Sequence, residues 1–128
     1  MASNLIISDT NCLIDLFHQD LLTIKIFEKI NPSNIIISSI SVMELLIGSR
    51  NNVEKERIKK KISYYHIVHL NEDISELAIT LVDNYYLSHH LLLPDALIAA
   101  TAIVTGFQLF TYNTKDFKYI PNIKLYEY

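Results

Sequence analysis

Short runs of consecutive apolar residues alternate along the chain with longer stretches in which apolar residues recur every three or four positions. The first pattern reads as buried strand and the second as helix. Strands are expected at residues 4–8 (NLIIS), 34–39 (NIIISS), 66–70 (HIVHL) and 108–112 (QLFTY). After the first strand, Leu13, Leu16 and Phe17 fall at helical spacing, and a further helix is expected over residues 20–30. Pro32 and Ser33 break the chain before the second strand. The next helix carries Glu44, with Ser39 or Ser41 able to cap it and Gly48 at its end. An amphipathic, charged helix is expected at 52–63, and a long one at about 73–86, opened by the acids of NEDISEL. Pro94 suits the first turn of a small-residue helix, LIAATAIVT, that Gly106 ends. The tail, residues 120–128, reads as one short edge strand entered at Pro121.

This alternation predicts an α/β fold, a central and mainly parallel sheet flanked by helices. With 128 residues and no linker, repeat or low-complexity segment, the whole chain, 1–128, is expected to form one domain. Half of the residues are hydrophobic and 20% are charged, which fits a globular protein. No apolar run reaches the roughly 18 residues that a membrane span needs. The N-terminus has no basic flank before its short apolar stretch, so it does not read as a signal peptide, and a cytoplasmic location is expected. A single cysteine, Cys12, excludes an internal disulfide and a cysteine-based zinc cage, and reads as a small buried hydrophobe.

The formal charge of −3 argues against general charge attraction to nucleic acid, so any such contact must be local. The one dense basic stretch, residues 50–61 (RNNVEKERIKKK), reads either as a solvated helix face or as a rim for phosphate.

Four acids sit in or against apolar runs: Asp9 after the first strand, Glu44 in SVMELLIG, Asp95 in PDALIAATAIVTG and Asp116 after QLFTY. Buried carboxylates need a compensating cation, which points to a divalent-metal site. In an open α/β sheet, ligands gather beyond the carboxyl ends of the strands, where Asp9 and Asp116 fall, while Glu44 and Asp95 must reach that crevice from helices. Each acid also has an ordinary structural reading. Asp9 can cap a helix, Asp95 can answer a helix dipole, Glu44 can be an exposed helical residue, and Asp116 can belong to a turn. Thr10, Asn11, Thr111 and Asn113 flank the acids with hydrogen-bonding groups of the sort that orient ligating carboxylates and water. The chain has no GxSxG elbow, no GxxxxGK loop and no HExxH motif. His18, His66, His69, His89 and His90 show no metal-ligand spacing beside the acids; His89 and His90 could line the entrance to a site near Asp95 or simply pack.

SDTNCLIDL, SSISVMELLIG and LPDALIAATAIVTGFQLFTYNTKDFKYIP, in this order and over nearly the whole length, resemble the PIN-domain ribonucleases, and among them the small VapC-type toxins of toxin–antitoxin pairs. The resemblance implies a PIN-like three-layer domain with an acidic pocket for Mg²⁺ or Mn²⁺ and cleavage of single-stranded or loop RNA, whether tRNA, rRNA or mRNA. Asp9, Glu44 and Asp95 match the family's most consistent acids. Asp116 matches a more variable fourth position, with Asn113 as a nearby alternative. A cognate antitoxin and a homodimer are also implied, and residues 81–93, with Tyr85 and Tyr86, could form a partner face or core. The rival readings are a non-catalytic RNA- or protein-binding module on the same fold and a receiver-like domain. The latter expects a cluster of acids before the first strand, whereas residues 1–8 contain none.

Overall fold

The computed structural model describes residues 4–128. Residues 1–3, part of the segment weighed above as a leader, lie outside them. Four apolar segments form the strands β1 (Ile6–Ser8), β2 (Ile35–Ser38), β3 (His66–Val68) and β4 (Gln108–Phe110). All pair in parallel in the order β3-β2-β1-β4. The connections are helical: α1 (Thr10–Phe17) and α2 (Leu21–Ile30) follow β1, α3 (Ser39–Ile47) and α4 (Asn52–Ile62) follow β2, and α5 (Glu72–His89) and α6 (Leu93–Thr105) return the chain to β4. Because β1 lies between β2 and β4, the direction of winding reverses beside it. That reversal opens a crevice past the carboxyl ends of β1 and β4.

The strands are apolar on both faces because both are covered. Ile7, Ile36 and Leu109 point into one core with Ile74, Ala78 and Leu81 of α5 and Ala96, Ala99 and Ala100 of α6. Ile6, Ile35, Ile37 and Phe110 alternate to the other face, against Cys12 and Leu13 of α1, Phe27 of α2 and Leu45 of α3. The result is the three-layer arrangement expected. The alanines of α6 leave no bulk between helix and sheet, and Gly106 ends that helix at φ 76°, a conformation that glycine adopts without strain. Among the described residues, no helix is long and apolar enough to cross a membrane.

Three local expectations change. Ser38, not Ser39 or Ser41, caps α3, accepting the Ser41 amide at 3.4 Å. Helix α5 runs three residues beyond 86, since nothing breaks it until His90 adopts the left-handed conformation at φ 54°. The tail pairs with β4 through a single parallel bridge, Leu109 to Leu125, and forms no strand. Leu109 N donates to Lys124 O and Tyr126 N to Leu109 O, both at 2.8 Å, which uses both backbone groups of the one β4 residue the tail meets. Residues 81–93 divide between the two roles weighed for them. Leu81 and Leu91 are core, Tyr85 is half-buried, and Tyr86, Leu87, Leu92 and Leu93 are exposed.

Candidate active site

The first strand ends in Ser8, and the chain turns directly into α1, so Asp9 stands at the helix N-cap with its side chain 4% exposed. Its backbone N–H donates to Phe110 O at 2.8 Å, which fixes the acid across the β1–β4 boundary. Oδ1 accepts the Thr10 amide and Oδ2 accepts the Thr111 hydroxyl, each at 2.8 Å. Thr111 Oγ1 also accepts the Asn113 amide at 3.0 Å, so one hydroxyl ties Asp9 to the turn that holds Asp116.

Glu44 lies on α3, one turn and more from its start, and is half-buried. The Thr10 hydroxyl donates to Glu44 Oε1 at 2.7 Å and stands 2.8 Å from Ser41 Oγ. Thr10 has one hydroxyl proton, and the carboxylate takes it, so the Ser41 hydroxyl is the donor to Thr10. A relay of directed hydrogen bonds, Ser41 to Thr10 to Glu44, thus crosses from α3 to α1 and back.

Asp95 occupies the first turn of α6, and Asp116 ends an exposed 3₁₀ turn, Thr114–Asp116. The four acids lie near enough for Asp95 and Asp9 to feel charges from the others. Burial, then the charges of Asp9, Asp116 and Glu44, push the Asp95 carboxyl up to about 6. Asp9 is raised too, first by burial, with the bonds from Thr111 and Thr10 opposing and the charges of Glu44 and Asp116 adding to it. The ordinary structural roles are therefore real for Asp9, Asp95 and Asp116, but they do not exhaust these residues. Each is also part of one repelling set.

Of the flanking groups, Thr10 and Thr111 hold acids directly, and Asn113 contributes its backbone amide. Asn11 is exposed. Sequence reasoning considered Ser41 only as a cap, although its i,i+3 spacing from Glu44 puts both on one face of α3 and could have flagged it. Tyr119 was missed altogether. Its hydroxyl is buried and has no hydrogen-bond partner among the described residues, and burial followed by the charges of Asp116 and Asp95 raises it. His89 does pack, its ring stacked on that of Tyr119 with centroids 3.9 Å apart. Cys12 is buried and its thiol is pushed up to about 12, chiefly by burial, so it is an inert core residue.

A PIN-domain family model matches residues 6–123 of this chain. The chain belongs to the PIN-domain family. Ribonuclease VapC1 of Rickettsia felis is 37% identical over 97 residues, which span 70% of this chain and 72% of that relative. A toxin-antitoxin complex from Klebsiella pneumoniae includes a chain 35% identical with a TM-score of 0.78, covering 96% of this chain and 99% of that one. In the crystal structure of VapBC2 from Rickettsia felis bound to a DNA fragment from their promoter, the similar chain is 26% identical with a TM-score of 0.77, covering 97% and 98%. The likeness to these VapC and toxin–antitoxin chains places this PIN-domain protein on the VapC side of the family. Among the described residues, no three His, Cys, Asp or Glu side chains are arranged to hold one metal ion in common.

Proposed function

We propose that this PIN-domain protein is a Mg²⁺- or Mn²⁺-dependent endoribonuclease, the toxin of a toxin–antitoxin pair, hydrolysing phosphodiester bonds of RNA at Asp9, Glu44, Asp95 and Asp116. One observation carries the reading: at the carboxyl ends of β1 and β4, Asp9 and Asp95 are both raised, first by burial and then by the charges of neighbouring acids that include Glu44 and Asp116. Like charges gathered this way cost folding energy unless a cation meets them.

The donor set suits a hard divalent ion, being entirely oxygen. Mg²⁺ is often held by one or two carboxylates with water and substrate phosphate filling its shell, so it does not require three carboxylates preset around one point. Asp9 and Asp95 are the direct ligands in this reading, with Glu44 and Asp116 completing the shell through water or holding a second ion. The orphan Tyr119 hydroxyl is a donor within electrostatic reach of Asp95 and Asp116, where water of such a shell would accept it. When bound, the ion supplies a more acidic water and neutralises charge on the phosphodiester.

The protein's own groups do the positioning. Thr111 and the Thr10 amide fix both oxygens of Asp9, and the Ser41 to Thr10 relay sets one oxygen of Glu44, leaving the other free to accept from water. Glu44 and Asp95, being only half-buried, are open to solvent on one side.

Chelation tests the reading. Cleavage of total RNA should vanish in EDTA, return with Mg²⁺ and be lost in Asp95→Asn, which keeps size and removes charge; full activity in chelator would sink it. Metal and RNA binding without cleavage would instead favour the non-catalytic module. The similar chains come from toxin–antitoxin complexes, which supports a protein antitoxin as partner here. The exposed Tyr86, Leu87, Leu92 and Leu93 are the surface offered to a homodimer, and sedimentation as a monomer at all concentrations would count against it.

A further inference from the structure

Beside the acids, between α1, α3 and α4, lies a groove of about 420 Å³. That is within the size of cavities that hold small organic molecules, and far more than an ion needs. Glu44 belongs to both places, since it receives the Thr10 bond and also lines the groove; none of the three aspartates does. The groove's apolar lining includes Phe17, Leu45 and Ile58, and its charged lining is Arg50, Arg57 and Lys61 with Glu44 and Glu54.

These two cations differ in how they are held. Lys61 Nζ donates to Phe17 O at 3.0 Å and stands 5.4 Å from the centre of the Phe17 ring, which pins α4 to the end of α1. Arg57 has no ion pair and no hydrogen bond among the described residues, whereas the neighbouring Arg50 is paired with Glu54 at 3.1 Å. Glu54 is taken by Arg50 and Glu44 by the Thr10 hydroxyl, so the Arg57 guanidinium, unpaired at the mouth of the groove, is suited to an external phosphate.

The charge distribution makes the same point. The chain is net −3, and its acids repel a polyanion at the place where we put cleavage. Of its 11 Lys and Arg residues, α4 carries Lys55, Arg57, Lys59, Lys60 and Lys61. A strand of RNA reaching the acids gains compensating attraction if it leaves along this helix.

We infer that the groove is a subsite for one unpaired nucleotide of the RNA, adjoining the phosphate at the acids. Its base rests on the apolar lining beside Phe17, and its phosphate meets Arg57. Only a single-stranded or looped segment can turn a base into such a slot, which selects for unpaired RNA at this position. The inference rests on the ribonuclease reading above. An apolar peptide could occupy the same lining, but it would leave Arg57 without a counter-charge.

The test is steady-state cleavage, in Mg²⁺, of a mixed-sequence single-stranded RNA roughly ten nucleotides long, the span of one small strand-binding surface. Arg57 is exposed, so its variants should melt with the parent. Arg57→Glu should raise KM roughly tenfold or more with a much smaller change in kcat, and Arg57→Lys should recover most of the loss. Arg57→Gln should lower the slope of log affinity against log salt by about 0.7, the loss of one phosphate contact to a single strand. An unchanged KM and salt slope, with the parent cleaving normally, would overturn the inference while leaving the ribonuclease reading intact. So would an unchanged KM accompanied by loss of a co-expressed partner protein, which would assign the groove to protein docking. Failure of the parent to cleave in Mg²⁺ would instead strike the ribonuclease reading, and the subsite would fall with it.

Discussion

Thr111 donates its hydroxyl to Asp9 Oδ2 at 2.8 Å, joining the carboxyl ends of β4 and β1 through a buried side-chain bond. Thr111 Oγ1 also accepts the Asn113 amide, so loss of this hydroxyl strands two groups at once. Thr111→Val preserves shape but leaves a buried carboxylate short of a donor, and should cost about 1–3 kcal/mol at neutral pH in chelator. Thr111→Ser should recover most of it. Urea denaturation of the two variants checks this; equal stability of the Val variant and the parent would mean that the bond does not hold Asp9.

Thr10 is the only protein donor to the Glu44 carboxylate among the described residues, and Ser41 orients Thr10. Thr10→Val should therefore reduce kcat for RNA cleavage by roughly tenfold, equivalent to ~1.4 kcal/mol of barrier, with little change in KM. Ser41→Ala leaves the Thr10 to Glu44 bond in place and should have a smaller effect. Single-turnover rates on the same RNA rank the two. If Ser41→Ala were the more damaging, the proton order assigned to the relay would be reversed.

The Asp95 carboxyl at about 6 sets the pH dependence of the metal-free chain. An unperturbed aspartate titrates near 3.8, so between these values the folded state binds more protons than the unfolded state. Stability from this group therefore falls as pH rises through that window and stays low above it. The raised Asp9 acts in the same direction. In EDTA, the parent should lose more stability than Asp95→Asn between about pH 4 and about pH 6.5, and at the upper value the Asn variant should be the more stable protein. Mg²⁺ should reverse that ranking by stabilising only the parent. Parallel pH profiles for parent and variant in chelator would remove the repulsion on which the site rests.

How much of this the sequence revealed follows from the range of the interactions involved. Asp9 and Asp95 were readable because a strand end and a helix start are local signals, and these place both acids at one end of the sheet. The two cores were readable as well, since unbroken apolar strands demand cover on both faces. The Thr10 to Glu44 bond was not, because it joins residues 34 apart and depends on how α1 sits against α3. Three serines at 38, 39 and 41 compete for one cap, and local pattern does not separate them. The tail's apolar residues suggested a strand, but strand length there is set by β4, which is only three residues long. Tyr119 had no local signal, since its importance comes from the neighbours folding brings to it.

Those neighbours give Tyr119 an unusual prediction. Its ring is stacked on His89 at 3.9 Å and meets Tyr85 edge-on at 5.1 Å, so packing holds it independently of the hydroxyl. The hydroxyl is buried without a protein partner. Tyr119→Phe keeps the rings together and deletes the unpaired group, so in EDTA the variant should equal the parent or exceed it by about 1 kcal/mol. Tyr119→Leu should instead lose roughly 0.5–1.5 kcal/mol of ring–ring interaction on top of its smaller buried area. In Mg²⁺ the Phe variant should gain less stability than the parent, because the hydroxyl then has water of the proposed metal shell, beside Asp95 and Asp116, as its acceptor. Denaturation with and without Mg²⁺ decides the matter: a Phe variant weaker than the parent in chelator would show that the hydroxyl already has a partner, and an identical Mg²⁺ response would separate Tyr119 from the metal.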